Sequence, residues 1–147
     1  MIFLATDHAG FELKEKLKTF LSKEGYEVED LGALEFDTQD DYPDFISLAA
    51  QKVSKNPENK AIVLGGSGQG EAIVANRFPG VRAVVYYGGP VEIVSLSREH
   101  NDANILSLGA RFFSYEKAEE VVKLWLETPF PGEERHQRRI NKIEEVK

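Results

Sequence analysis

Ala61-Ile62-Val63-Leu64-Gly65-Gly66-Ser67-Gly68-Gln69-Gly70-Glu71-Ala72-Ile73-Val74-Ala75 runs from an apolar stretch through a glycine-rich segment into a second apolar stretch. That order reads as buried strand, loop and helix. Glycines after a strand let a ligand approach the backbone without meeting a Cβ, and the following helix start offers free N–H groups to an anion. The loop ends in Glu71, a carboxylate where an anion is expected. If the loop holds an anionic ligand, Glu71 has a chemical role and not merely a capping one. The segment is not a Walker motif, because no Gly-Lys-Ser/Thr follows, and not the dinucleotide fingerprint, which needs G-x-G-x-x-G after the first strand. Four glycines among residues 65–70 exceed what a plain turn requires.

Outward from this loop, β-rich runs alternate with helical patterns. Residues 2–6 and 26–31 read as strands. Between them Leu13, Leu17, Phe20 and Leu21 form one face of a helix over 11–24, which Gly25 stops. Asp41 is placed to cap a second helix carrying Ile46, Ala49, Ala50 and Val53, which Pro57 and Asn59 end. Strands follow at 61–64, 81–86 and 105–108, with helices reaching about Asn76 and His100. Ala118, Val121, Val122 and Trp125 mark a helix between Ser114 and Glu127. Thr128-Pro129-Phe130-Pro131-Gly132 is a stiff connector to a final helix over 133–146, and no internal repeat interrupts the pattern. Helices between successive strands imply parallel pairing. The expected fold is α/β: a three-layer α/β/α sandwich on a five-stranded, parallel, doubly wound sheet, with a C-terminal helical arm.

The 147 residues, 41% of them hydrophobic, suit one domain with a sizeable core. A net charge of -7 argues against a nucleic-acid or membrane-surface protein. The absence of cysteine removes disulfides, thiolate nucleophiles and zinc-thiolate sites. Residues 1–6 lack the basic region of a signal peptide, and no apolar run is long enough to span a bilayer. A cytoplasmic location is expected.

In doubly wound sheets ligands bind beyond the carboxyl ends of the strands, beside the switch in strand order. The residues just after each strand therefore carry the functional expectation: Asp7 and His8, the loop 65–71, the Gly88-Gly89 turn, and Arg111. Asp7-His8 fits an Asx turn equally well, and His100-Asn101-Asp102-Ala103-Asn104 fits an ordinary polar loop. Arg135 and Arg139 are four apart and stack on one helix face, where they could converge on a phosphate. His136, Ile140 and Ile143 form a different face suited to packing. A solvated charged helix fits the same spacing.

Several motifs together resemble one family: Asp7-His8-Ala9-Gly10-Phe11-Glu12-Leu13-Lys14, Asp41-Tyr42-Pro43-Asp44, the Gly65 to Glu71 loop, Pro79-Gly80-Val81-Arg82-Ala83, Arg98-Glu99-His100-Asn101-Asp102-Ala103-Asn104, Gly109-Ala110-Arg111 and Arg135-His136 with Arg138-Arg139-Ile140. In order and over nearly the whole chain, they resemble type B ribose-5-phosphate isomerases, a family that also includes galactose- and allose-6-phosphate isomerases. The resemblance implies aldose–ketose isomerisation through an enediolate, in the cytoplasm, with no metal and no cofactor. Many members carry a cysteine base at the position of Gly65. A second branch has glycine there and a glutamate at the loop's end, and this chain resembles that branch.

Glu71 is then the expected base and Ser67 a stabiliser of the enediolate, while His100, aided by Asp7, opens the sugar ring. Asp7, His8, Tyr42, Gly66, Ser67, Gly68, Gln69, Gly70, Asn101, Arg111, Arg135 and Arg139 are the implied substrate contacts. The resemblance also implies a homodimer, or a dimer of dimers, with a shared site and residues 133–147 packing on the partner. One departure is Tyr86-Tyr87-Gly88-Gly89-Pro90, where the chain between Arg82 and Arg98 is slightly longer than the family pattern. A six-carbon sugar phosphate as substrate, or a non-catalytic phosphate- or nucleotide-binding module, are the alternatives.

Overall fold

Five strands and six helices alternate along the chain in the computed structural model, which describes residues 1–146. In order they are β1 (Ile2–Thr6), α1 (Phe11–Lys23), β2 (Val28–Asp30), α2 (Tyr42–Lys55), β3 (Lys60–Gly65), α3 (Gln69–Ala75), β4 (Ala83–Tyr86), α4 (Glu92–Asn101), β5 (Ile105–Gly109), α5 (Tyr115–Glu127) and α6 (Glu134–Glu145), with a 3₁₀ turn at His8–Gly10. All strand pairs are parallel and the sheet order is β2-β1-β3-β5-β4. This is the expected three-layer sandwich.

Period-two alternation along the strands sorts their side chains between the two helical layers. Ile2, Leu4, Ile62, Leu64, Leu106 and Leu108 pack with Leu17 and Leu21 of α1, Val94 of α4, and Val121, Val122 and Trp125 of α5. Phe3, Ala5, Ala61, Val63 and Ile105 pack on the other face with Ile46, Ala49, Ala50 and Val53 of α2 and Ala75 of α3. No helix among the described residues is long and apolar enough to cross a membrane.

The structure trims several sequence expectations. β4 starts at Ala83 and not at Val81, because the Arg82 N–H donates to the Asn104 side chain at 2.8 Å and not to a strand neighbour. β2 is limited to residues 28–30, because the Tyr26 N–H still bonds back to Leu21 O at the end of α1. Asp41 occupies the N-cap position of α2, yet its side chain makes no capping hydrogen bond. On α6, His136 and Ile140 are buried, but Ile143 remains 48% exposed, so the expected packing face is one turn shorter.

The segment after β2 continues alongside β1, with Leu31 N donating to Leu4 O and Ala33 N to Thr6 O. It is anchored by the buried Lys14 ammonium, which donates to both Asp30 carboxylate oxygens at 2.8 Å and to Ala33 O at 2.6 Å. A fully buried leucine and an exposed one calibrate the core. Leu17→Ala is expected to cost about 3 kcal/mol and Leu34→Ala, 72% exposed, within about 0.5 kcal/mol, as read from urea denaturation midpoints.

Candidate active site

Thr6 pairs with Leu64 and Gly65 with Gly109, so the carboxyl ends of β1, β3 and β5 lie side by side. Asp7, the loop after β3, and Arg111 emerge there together. Asp7 is buried and its Oδ1 accepts from Ala9 N at 2.9 Å, which makes the Asx turn real as well. His8 follows on the 3₁₀ turn. The Arg111 N–H bonds to Gly66 O at 3.2 Å, and its guanidinium lies close over Gly66, where an added Cβ would sit 3.0 Å from Nη1. The Tyr42 hydroxyl closes on Gly70 from α2.

The loop is held open by Gly68, at φ +80°, a left-handed conformation that disfavours any side chain. The buried Ser107 hydroxyl of β5 donates to Gly68 O at 2.6 Å and fixes this turn. Ser67 and Gln69 lie at its mouth, with the Gln69 N–H donating to Ser67 Oγ at 3.3 Å.

Glu71 is 4% exposed and folds back over the end of β3. Its carboxylate fills the space above Gly65, and a Cβ at that position would collide with it. Burial raises the Glu71 pKa from its ordinary value of 4.5; its own backbone N–H opposes this and the nearby Asp7 charge reinforces it. A helix start and one N–H stabilise a carboxylate by about 1 kcal/mol, whereas desolvation costs several, so desolvation wins. A carboxyl raised in this way binds a proton more tightly than an ordinary exposed glutamate.

The other expected residues do not join this group within one chain. α4 descends from the carboxyl end of β4 to the amino end of β5, so its last residues, His100 and Asn101, lie at the opposite edge of the sheet. Arg82, just before β4, donates to Asn101 O at 2.9 Å. A five-residue strand spans about 16 Å, far beyond hydrogen-bond reach of Glu71. His100 stacks on His136 of α6, ring centroids 4.2 Å apart and planes 15° from parallel. Arg135 and Arg139 leave the same helix into solvent. α6 rests on its own chain's α4, tied by the His100–His136 stack and an Arg82–Glu144 ion pair of 2.8 Å.

Asp7, His8 and Asp40 bring one ligand atom each within 4.8 Å of one another, the spacing of a possible metal site. The His8 and Asp40 atoms concerned, however, are already joined by a 2.7 Å hydrogen bond. The Tyr86–Pro90 departure is a firm turn: Tyr86 Oη donates to Gly89 O at 2.9 Å, and Tyr87 packs beside Gly109 and edge-on to Phe112.

Residues 2–143 match the ribose/galactose isomerase family. The chain belongs to this family. It is 41% identical over 144 residues to ribose-5-phosphate isomerase B of Mycolicibacterium paratuberculosis, covering 98% of this chain and 89% of that protein. It superposes on the Mycoplasma genitalium ribose-5-phosphate isomerase B, crystallised with ribulose-5-phosphate, at a TM-score of 0.93, with 39% identity over 98% of this chain and 93% of that one. The Thermotoga maritima ribose 5-phosphate isomerase gives a TM-score of 0.90 and 44% identity over 99% and 97%.

Two neighbours of the site in this ribose/galactose isomerase chain had no sequence signal: Asp40, which bonds His8, and Ser107, which pins Gly68; His136 was expected on a packing face, and the structure gives it His100 as its partner. No periodicity pairs positions 8 and 40, or 68 and 107.

The contact between positions 65 and 71 makes a testable coupling. Gly65→Ala is expected to lower stability by about 1–3 kcal/mol, and in a Glu71→Ala background, where the space is empty, to cost far less, a non-additivity that a double-mutant cycle measures. The raised Glu71 pKa has a signed consequence. Its contribution to stability is fully present below pH 4.5 and is lost as pH rises through the folded value. Glu71→Gln removes that loss, so its stability relative to wild type is expected to grow with pH above 4.5 and then level off.

Proposed function

We propose that this chain interconverts ribose 5-phosphate and ribulose 5-phosphate, with Glu71 as the base that moves a proton between C2 and C1. The observation that carries this reading is the buried carboxylate sealed over Gly65, its pKa raised by desolvation and by the nearby Asp7 charge. The names of the relatives, and the ribulose-5-phosphate in the Mycoplasma genitalium structure, support the substrate.

In the open-chain aldose the C2 proton is acidified by the C1 carbonyl. The Glu71 carboxylate takes it and the electron pair becomes the enediolate. The resulting carboxylic acid returns the proton at C1, while a hydroxyl proton passes from O2 to O1, which leaves the ketose. Ser67 and the loop N–H groups are the donors for the developing oxyanion. Glycine at position 65 fits the glutamate-base branch, since a cysteine side chain there would occupy the carboxylate's own space.

Ring opening by His100 needs that imidazole beside Asp7, and within one chain the two stand at opposite ends of the sheet. We infer a homodimer with a shared site: Asp7, His8, Tyr42, the glycine loop and Arg111 from one subunit, and His100, Asn101, Arg135 and Arg139 from the other. Arg111, Arg135 and Arg139, with His8, hold the phosphate. The Tyr86–Pro90 turn, packed on Gly109 and Phe112, favours a second reading, a six-carbon sugar phosphate, which relative kcat/KM on five- and six-carbon aldose phosphates decides.

Glu71→Gln is expected to lower kcat on ribose 5-phosphate by about 10³-fold; full turnover in that variant would sink the mechanism. For the shared site, Glu71→Gln and His100→Asn subunits, each inactive alone, are co-refolded. Random pairing makes half the dimers mixed with one intact site of two, so about a quarter of wild-type activity returns; none returns if each site is built from one chain.

A further inference from the structure

The segment between β2 and α2 delivers a carboxylate to the site from far along the sequence. The Asp40 side chain is 9% exposed, and its Oδ1 accepts two hydrogen bonds from a single residue: from the His8 backbone N–H at 3.1 Å and from the ring Nδ1–H at 2.7 Å. Its Oδ2 is buried with no partner among the described residues. A carboxylate in that state is unfavourable unless a cation faces it. His8 is the group that faces it.

We propose that Asp40 is a positioning residue for the phosphate end of the site: it keeps His8 protonated and presents the ring's Nε2–H, beside the Arg111 guanidinium, to the substrate's phosphate. This rests on the sugar-phosphate reading above. With Nδ1 committed to Asp40 the ring orientation is fixed, and Nε2 is left without a partner among the described residues on a side chain that keeps 27% of its surface accessible. An imidazolium donates from both nitrogens, whereas a neutral ring bonded this way would leave Nε2 as an acceptor that repels a phosphate oxygen. A backbone cap alone would hold the His8 N–H. The shorter bond to the ring is the part a capping role does not need.

The charges around His8 show why the carboxylate is required. The hydrogen bond to Asp40 raises the His8 pKa most; burial opposes it; the Asp7 and Asp40 charges raise it further, and Arg111 lowers it. Take Asp40 away and the ring is left with burial and Arg111 on one side against Asp7 alone. Glu12, Glu15 and Lys16 of α1 share a groove with His8, but they are solvated, and Lys16 pairs with Glu12 at 3.5 Å. Because a histidine titrates near neutral pH, loss of Asp40 moves its charge change into the working range.

The test compares wild type with Asp40→Asn, whose amide oxygen can still accept the backbone N–H but carries no charge. The His8 ring is titrated by NMR with and without inorganic phosphate. The wild-type midpoint is expected above 6.5, lower in Asp40→Asn, and raised by phosphate in both. KM for ribose 5-phosphate is then measured at pH 6 and pH 8. The ratio between the two is expected to be about 10-fold larger in Asp40→Asn than in wild type, the worth of one charge-assisted hydrogen bond, with the loss falling on KM more than on kcat. In a His8→Gln background, adding Asp40→Asn is expected to raise KM no further.

A wild-type midpoint at or below 6.5, parallel KM profiles, or additive effects in the double variant would each overturn the proposal. The first of these needs no folded variant. If ribose 5-phosphate is not turned over at all while the NMR midpoints shift as described, the sugar assignment falls and the Asp40–His8–phosphate device stands.

Discussion

Glu71 occupies the volume that a side chain at position 65 would need, and the rest of the site is arranged around that exclusion. For the carboxylate to reach the end of β3, the chain must reverse within a few residues. It does so through Gly68 in a left-handed conformation, held by the Ser107 hydroxyl of the neighbouring strand. α3 then starts with Glu71 in its first turn, aimed back at the sheet and not out at water. The favourable electrostatics of a helix start are too small to offset the loss of solvent, so the carboxyl is left with a raised pKa. Keeping this carboxyl dry costs stability as pH rises above 4.5.

Topology explains why Asp7, the glycine loop and Arg111 gather in one chain while His100 and Asn101 lie away from them. The order β2-β1-β3-β5-β4 puts the switch at β1 and β3, so the loops after them open a crevice at the carboxyl edge. The crossover through α4 must return to the amino edge before β5 begins, and it carries His100 and Asn101 with it. A parallel sheet therefore separates the two groups by its own strand length. In the proposed homodimer a second chain brings His100 to Glu71.

The fold was legible from periodicity because each buried element carries its own pattern: Leu17 and Leu21 on α1, Ile46 to Val53 on α2, and the apolar runs of β1, β3 and β5. The glycine loop was legible as a ligand loop because four glycines in six positions have few other causes. The substrate and the base came only from resemblance. What sequence could not show were contacts set by tertiary path. Lys14 and the backbone of β1 fix the course of residues 31–33, the chain then brings Asp40 to His8, and nothing in local spacing pairs the two. Ile143 misled for the opposite reason: its spacing is right for packing, but α6 leaves the domain surface one turn before reaching it.

α6 resolves the two readings of its charge pattern by using both faces. Its buried face docks on α4, where His136 stacks against His100. Burial, with help from the charges of His100 and Arg135, lowers the His136 pKa. Stacked imidazoles 4.2 Å apart would repel strongly if both were charged. With its pKa lowered, His136 packs against His100 as a stacked neutral ring and avoids that repulsion. The opposite face turns Arg139, and Arg135 paired with Glu133 at 3.4 Å, outward on a chain whose net charge is -7. One helix therefore holds the His100 ring through its packed side and, in the proposed shared site, would offer Arg135 and Arg139 to a phosphate through its exposed one.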